Sequence, residues 1–200
     1  MFELAADLPA ELVPLSWLLG VWEGTGVMAY RVGDEQREAE FGQRMAFTHD
    51  GGRRLSYSMA AWLIDDAEKK PYFAELGFWS LARPLGDADA GPGLLPATAD
   101  ARYTTAGEIE TLRRADGSGF DLDVAIAQDG GVIELYLGVA NGPRIDLATD
   151  AVVRSASAKD YSAATRMYGL VEGHLLWAWD VAALGQSMRT HASGRLARVD

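Results

Sequence analysis

The sequence predicts an all-β protein, an up-and-down antiparallel β-barrel of about ten strands. Three observations carry this prediction. Apolar and polar residues alternate along most of the chain, which is the period of a strand with one buried face. Turn signals such as Asp-Gly-Gly and Asn-Gly recur at short intervals, as hairpins require. No long segment repeats its apolar residues at the helical period.

The first element is a short apolar helical turn over 15–19, which Gly20 can end. The chain then becomes extended. Glycines weaken a strand unless backbone or ligand must approach closely, whereas the interior of a small barrel alternates small and large side chains. This mixture of small and large residues on one strand face therefore predicts the first strand of a barrel. The residues that share the face are Trp22, Gly24, Gly26, Met28 and Tyr30.

Three more strands are predicted before residue 84. The second covers 38–49, the third follows the turn at 50–52 and runs over 55–63, and the fourth is the aromatic segment 72–81. Glycine and proline then become frequent, so 84–106 is expected to be an irregular surface loop. Strands of the same kind resume beyond this loop, and the whole chain, 1–200, is therefore expected to form a single domain.

The strand pattern returns with 108–113. The clearest strand signal is the strict alternation over 120–126. The last strand is expected to pair with the first, which removes both sheet edges. A β-sandwich is the alternative fold, but it would need a long crossover connection that only 84–106 could supply. The remaining predicted strands are 132–140, 144–149, a short one at 152–155, 159–170, 175–181 and 188–199.

Composition narrows the function classes. The 200 residues carry a net charge of −11, which opposes binding to nucleic acids and to anionic membranes. The chain has no cysteine, so disulfides, thiolate nucleophiles and cysteine-based metal sites are excluded. It shows neither a basic targeting segment nor an apolar run of membrane-spanning length, and a cytoplasmic location is expected.

Candidate catalytic groups are few. No serine lies in a Gly-x-Ser-x-Gly elbow. The carboxylates of Glu108, Glu110, Asp121 and Asp123 alternate with apolar residues, as on a solvated barrel exterior, and a glycosidase-type pair is not indicated. Aromatic residues offer two interpretations, an apolar ligand cavity or a filled core. The residues concerned are Trp22, Phe47, Tyr57, Trp177 and Trp179.

The three histidines differ in their surroundings. His49 and His174 adjoin glycine turns and are expected at exposed strand ends. His191 lies within the last strand between small residues, and a hairpin centred near Gln186 would place Val181 opposite it. A packed structural histidine is one interpretation. One histidine beside a large apolar cavity also fits haem, whose iron needs only one protein ligand.

Several segments resemble one known family. The opening Gly20-Val21-Trp22-Glu23-Gly24-Thr25-Gly26 is similar to the Gly-x-Trp-x-Gly-x-Gly signature of the nitrobindins, haem-binding barrels also described as lipocalin-like and fatty-acid-binding-protein-like. The ending Gly185-Gln186-Ser187-Met188-Arg189-Thr190-His191 resembles the family segment whose histidine is the proximal haem ligand. Further similar segments follow in the same order at 47–51, 55–57, 131–134, 158–159 and 166–168.

The resemblance implies a ten-stranded barrel with one b-type haem per subunit, largely ferric, and His191 as both iron ligand and catalytic residue. It implies nitric oxide binding and the isomerisation of peroxynitrite to nitrate. Neither nucleic acid nor membrane is an expected partner, and a homodimer is allowed. The other residues implied in cofactor binding are Met28, Val32, Phe73, Lys159, Trp177 and Val181.

The pocket wall departs from the family pattern. Phe73 stands where many members have histidine, and the other departures are Met28, Arg31, Val32 and the pair Gln43-Arg44. The alternative function is a carrier of a fatty acid or another small hydrophobic ligand without haem, with Arg144 or Arg166 meeting a carboxylate. The adaptable side chains of Met28, Met45 and Met59 suit such a cavity. A barrel with a filled core is the third possibility.

Overall fold

A computed structural model describes residues 8–32, 35–64, 69–84 and 103–199, except for the side chain of Val32. The described strands form a closed antiparallel barrel in which each strand neighbours the next, and the tenth pairs with the first. The predicted fold class is therefore confirmed and the sandwich alternative is wrong. The strands are β1 (Gly20–Val32), β2 (Glu35–Thr48), β3 (Arg54–Leu63), β4 (Lys70–Leu81), β5 (Phe120–Gln128), β6 (Val132–Asn141), β7 (Arg144–Arg154), β8 (Tyr161–Val171), β9 (His174–Ala183) and β10 (Arg189–Arg198).

Alternation and turn chemistry explain the strands. Along β5, Leu122 and Val124 point inward and are completely buried, while Asp121 and Asp123 are exposed. The turn from β6 to β7 contains Gly142 with a φ of 56°, in the left-handed region that favours glycine in tight hairpins.

The seam between β1 and β10 depends on glycine. A Cβ atom on Gly24 would lie 2.1 Å from the carbonyl oxygen of Arg195, which is far closer than any real contact. A Cβ atom on Gly26 would meet the carbonyl oxygen of Ser193 at 2.5 Å. These two glycines therefore allow the first and last strands to approach and close the barrel.

A 3-10 helix, Ala10–Leu18, packs at the end of the barrel where β1 begins. Leu12, Leu15 and Leu18 are completely buried in the core. The Leu18 carbonyl accepts a hydrogen bond of 2.7 Å from Nε1 of Trp22, which ties the helix to β1. The predicted helical turn is present and begins earlier, at Ala10.

Two predicted strands differ from the structure. The segment 108–113 was expected to be extended, but it overlaps a short helix, α1 (Ala106–Glu110). A capping box between Thr105 and Glu108 stabilises that helix. The short strand at 152–155 is instead the end of β7, which continues to Arg154 and pairs with β6. Residues 85–102 of the expected loop lie outside the described residues. No helix in the described ranges is long and apolar enough to cross a membrane.

Candidate functional site

A cavity of about 890 Å³ occupies the end of the barrel away from the 3-10 helix, where β1 ends. This volume lies toward the upper end of the range for ligand and cofactor pockets. The interpretation as a filled core is therefore wrong. Apolar side chains form most of the wall, and the larger ones are Met28, Phe41, Met59, Phe73, Trp177, Trp179 and Val181.

His191 lines this cavity from β10. The register between β9 and β10 shifts at this point, because Thr190 pairs with Asp180 while Ala192 pairs with Trp179. His191 is thus the extra residue of a β-bulge, a feature that re-aims a side chain. The expectation that Val181 lies opposite His191 is wrong, since Val181 pairs with Arg189.

The His191 ring is oriented by two contacts. Its Nδ1 lies 3.1 Å from the carbonyl oxygen of Ala29 on β1. Its ring meets the Trp179 indole edge to face, with centroids 5.2 Å apart. Because a carbonyl oxygen can only accept, Nδ1 carries the proton and Nε2 keeps its lone pair. A hydrogen bond of this kind, to the ring nitrogen that does not bind the metal, fixes the tautomer that a metal-binding histidine needs.

Burial lowers the pKa of His191, and the charges of Arg189 and Lys159 act in the same direction. The hydrogen bond to Ala29 opposes this shift, but the net change is downward. The neutral imidazole therefore persists below the usual histidine pKa of about 6.5.

This shift predicts the pH dependence of ligand binding at Nε2. Hemin affinity is expected to stay constant from pH 7 through the ordinary histidine range and to fall only at lower pH, where His191 gains a proton. The apo-protein is expected to lose unfolding free energy as the pH falls from about 6.5, the histidine pKa of the unfolded chain, through the lower pKa of folded His191. The reason is that the unfolded chain binds that proton more tightly. NMR titration of the histidine ring protons measures the pKa, and His191→Ala assigns the signal. A His191 pKa at or above the ordinary histidine value of about 6.5 would contradict the prediction.

The two indoles of the wall are held by buried polar partners. Nε1 of Trp177 donates to Oε1 of Gln43 at 2.9 Å, and Nε2 of Gln43 donates to the carbonyl oxygen of Thr25. Nε1 of Trp179 donates to the Tyr161 hydroxyl at 3.2 Å. On the cavity side, Trp179 packs against Phe73 with centroids 5.7 Å apart. The tryptophans are thereby fixed in orientation as well as buried.

Beneath this wall lies a buried ionic cluster, which comprises Glu75, Glu134 and Arg166. The Arg166 guanidinium binds Glu75 through two hydrogen bonds of 2.7 Å and Glu134 through one of 3.1 Å. All three residues are at most 2% exposed. Burial alone would lower the pKa of Arg166, but the Glu75 carboxylate acts in the opposite direction and the net pKa is raised.

Exposed basic side chains surround the cavity mouth. Arg31, Lys159 and Arg189 all line the opening and reach solvent. The acidic residues Asp129 and Asp160 lie on the same rim. A ligand with an apolar body and carboxylates at one edge would therefore place those carboxylates among cations.

The structure brings most of the sequence-predicted site residues together. The cavity is lined by Met28, Phe73, Lys159, Trp177, Val181 and His191. Val32 ends β1, and its side chain lies outside the described residues. Of the aromatics considered for the cavity, Trp22, Phe47 and Tyr57 pack in the core instead. His49 and His174 border turns at strand ends, as expected, but both are half-buried rather than exposed.

Other wall residues did not emerge from the sequence. Phe41 continues the inward-facing period of β2, a signal that could have been followed along that strand. Met59 was expected to line a carrier cavity, and it does lie in the wall. Tyr161 was hidden by an irregularity in the pairing of β8 with β9 between Tyr161 and Ala163. Arg189 becomes recognisable only once the cavity mouth is located.

The residues present fit a haem group. The wall is apolar, the mouth is basic, and one imidazole offers a neutral nitrogen whose tautomer is fixed by the Ala29 carbonyl. Haem requires all three of these features: apolar walls, partners for its carboxylates and an axial ligand.

Comparisons with known proteins agree with this geometry. The family model for the THAP4-like, heme-binding beta-barrel domain matches residues 11–198. The chain is 61% identical to a peroxynitrite isomerase of Leifsonia xyli subsp. xyli and 59% identical to one of Clavibacter michiganensis subsp. michiganensis, in both cases over the full length of both proteins.

The fold also matches a crystal structure, that of Rv2717c from M. tuberculosis. The TM-score is 0.69 at 23% sequence identity, and the match covers 99% of this chain and 100% of the other. That likeness supports the barrel fold. The family model and the full-length relatives decide the family: the chain belongs to the THAP4-like haem-binding β-barrel domains, the nitrobindin family.

Proposed function

We propose that this protein is a haem-dependent peroxynitrite isomerase in which His191 is the iron ligand. One observation carries the proposal: Nδ1 of His191 is engaged by the Ala29 carbonyl, so Nε2 is the free nitrogen of a histidine that lines an apolar cavity. Full-length relatives named peroxynitrite isomerase, 61% and 59% identical, support the same activity.

The chain's own residues would bind and shield the cofactor. His191 would hold the iron, while Met28, Phe73, Trp177 and Val181 would contact the porphyrin. Lys159 at the mouth would meet its carboxylates. When bound, ferric b-type haem would supply a Lewis-acidic iron for the isomerisation of peroxynitrite to nitrate.

The wall residues would contribute by exclusion. The apolar face of Trp177, Trp179 and Val181 would exclude water from the site and hold the substrate within it. Isomerisation neither adds nor removes a proton, and this wall supplies no acid or base. The same pocket would admit nitric oxide as a ligand. A cytoplasmic location, a homodimeric assembly and the absence of nucleic-acid and membrane partners stay predictions.

The carrier alternative receives less support. Arg166 already binds two buried carboxylates, Glu75 and Glu134, and so is not free to meet a fatty acid. Arg144 lies on the exterior, where it pairs with Asp146. Neither arginine considered for that role is available to a ligand in the cavity.

Stopped-flow mixing of peroxynitrite with hemin-loaded protein tests the proposal. The decay of peroxynitrite is expected to accelerate in proportion to the loaded protein, with nitrate as the product by ion chromatography. Apo-protein and free hemin at matched concentrations are the controls. Decay no faster than in buffer would reduce the protein to a binder of haem or nitric oxide.

A further inference from the structure

A buried ionic cluster lies in the barrel interior, below the cavity. Replacing a buried ion cluster by apolar residues of similar volume is often neutral or stabilising. Stability alone therefore does not explain why Glu75, Glu134 and Arg166 occupy the interior. Their position suggests another role, because Trp179 lies between the cluster and His191. The Arg166 guanidinium is 4.6 Å from the Trp179 ring centroid, and the His191 ring packs against the same indole with centroids 5.2 Å apart.

The hydrogen bonds define the ionisation of Glu134. The Tyr136 hydroxyl accepts from Nε of Arg166 at 2.9 Å, and the Tyr161 hydroxyl accepts from Nε1 of Trp179. Guanidinium and indole N–H groups can only donate, so the proton of each hydroxyl is directed elsewhere. Both hydroxyls lie against Oε1 of Glu134, and Tyr136 does so at 2.5 Å.

The second oxygen of Glu134 is equally occupied by donors. Oε2 accepts a hydrogen bond from Nε2 of Gln128 at 2.8 Å and one from the Arg166 guanidinium at 3.1 Å. Four donors thus converge on Glu134, which is the pattern of a carboxylate. Glu75 likewise accepts from Arg166 through both oxygens and from the Tyr57 hydroxyl at 3.1 Å.

Two carboxylates against one guanidinium leave the cluster with one excess negative charge. Among the described residues, the other buried acidic side chain is that of Glu11, which belongs to the 3-10 helix at the other end of the barrel. Buried charges are little screened by salt, whereas the cations at the mouth are exposed and would face the carboxylates of a bound haem. The Arg166 guanidinium is the member of the cluster next to Trp179, but both carboxylates flank it. At longer range the excess negative charge therefore decides the sign of the electrostatic potential that the cluster produces.

We propose that the cluster of Glu75, Glu134 and Arg166 holds the bound haem in the ferric state. This inference rests on the proposed function, which requires ferric iron. A ferric porphyrin carries one more positive charge than a ferrous one, so a buried negative charge stabilises the ferric form more. At an effective dielectric constant of about 20, a unit charge roughly 12 Å from a redox centre changes such an equilibrium on the order of tenfold.

The reduction potential of the hemin-loaded protein tests the inference. Glu134→Gln and Glu75→Gln each remove the excess charge from a different strand, so one remains informative if the other fails to fold. Each is expected to shift the ferric–ferrous equilibrium toward ferrous iron by at least about tenfold, a rise of about 59 mV for one electron. Asp123→Asn removes the same charge from the exposed face of β5 and is expected to leave the potential unchanged.

Tyr161→Phe separates charge from positioning. It removes a hydrogen bond to Glu134 but keeps all three charges, so a shift well below that of the glutamine variants is expected. A wild-type potential in a loaded glutamine variant, or an equal shift in Tyr161→Phe or Asp123→Asn, would overturn the inference. Failure of the wild-type protein to shift the Soret band of hemin would instead refute the proposed function.

Discussion

Replacement of His191 by alanine is expected to weaken hemin binding by at least about 100-fold, because loss of even an outer partner of a metal-binding histidine costs ten- to a hundredfold. The substitution removes the ring that the β10 bulge directs into the cavity. It is also expected to abolish the acceleration of peroxynitrite decay. Titration of the apo-protein with hemin, followed at the Soret band, measures the effect.

His174→Ala is the matched control. His174 begins β9 outside the cavity lining, and its loss is expected to leave the spectrum and the affinity unchanged. Added imidazole is expected to restore a histidine-like spectrum to His191→Ala, because the deleted ring leaves space beside Trp179. A His191→Ala spectrum identical to that of the wild type would exclude this residue as the iron ligand.

Arg166→Met is expected to produce the largest loss of stability, about 3–5 kcal/mol of unfolding free energy. The methionine keeps much of the volume but leaves Glu75 and Glu134 buried without their cation. Such a loss is a large fraction of the stability of an ordinary domain. Urea unfolding of the apo-protein, followed by tryptophan fluorescence, measures it.

Arg144→Met is the matched control, because it removes an ion pair that is exposed rather than buried. Arg144 and Asp146 are both more than half exposed, and exposed pairs contribute at most about 1 kcal/mol. The unfolding free energy of this variant is expected to lie within about 0.5 kcal/mol of the wild-type value. Equal losses for the two variants would show that the buried cluster contributes no more than a surface pair.

The barrel was accessible from the sequence because its rules are local. Alternation along β5 and the Asn141-Gly142 turn each predict one strand or one hairpin without reference to the rest of the chain. Helix α1 was missed because a capped turn of five residues is shorter than the window in which a helical period can be recognised.

The site was only partly accessible because its geometry arises from irregularities and distant contacts. Small neighbours and the family-like segment drew attention to His191, but alternation cannot reveal the bulge that turns it inward. The ionic cluster joins Arg166 to Glu75 across 91 positions, and no local pattern announces that pairing. Tyr161 entered the site for the same reason, through an irregular register in β8.

The glycine seam between β1 and β10 has a consequence for folding. The seam joins strands at opposite ends of the sequence, and Ala29 and His191 lie beside it on its two sides. Contacts of such long sequence separation form late and slowly, because a large loop must close first. Hemin should therefore bind only to chains in which the final strand has docked, and its capture would report the last step of barrel assembly.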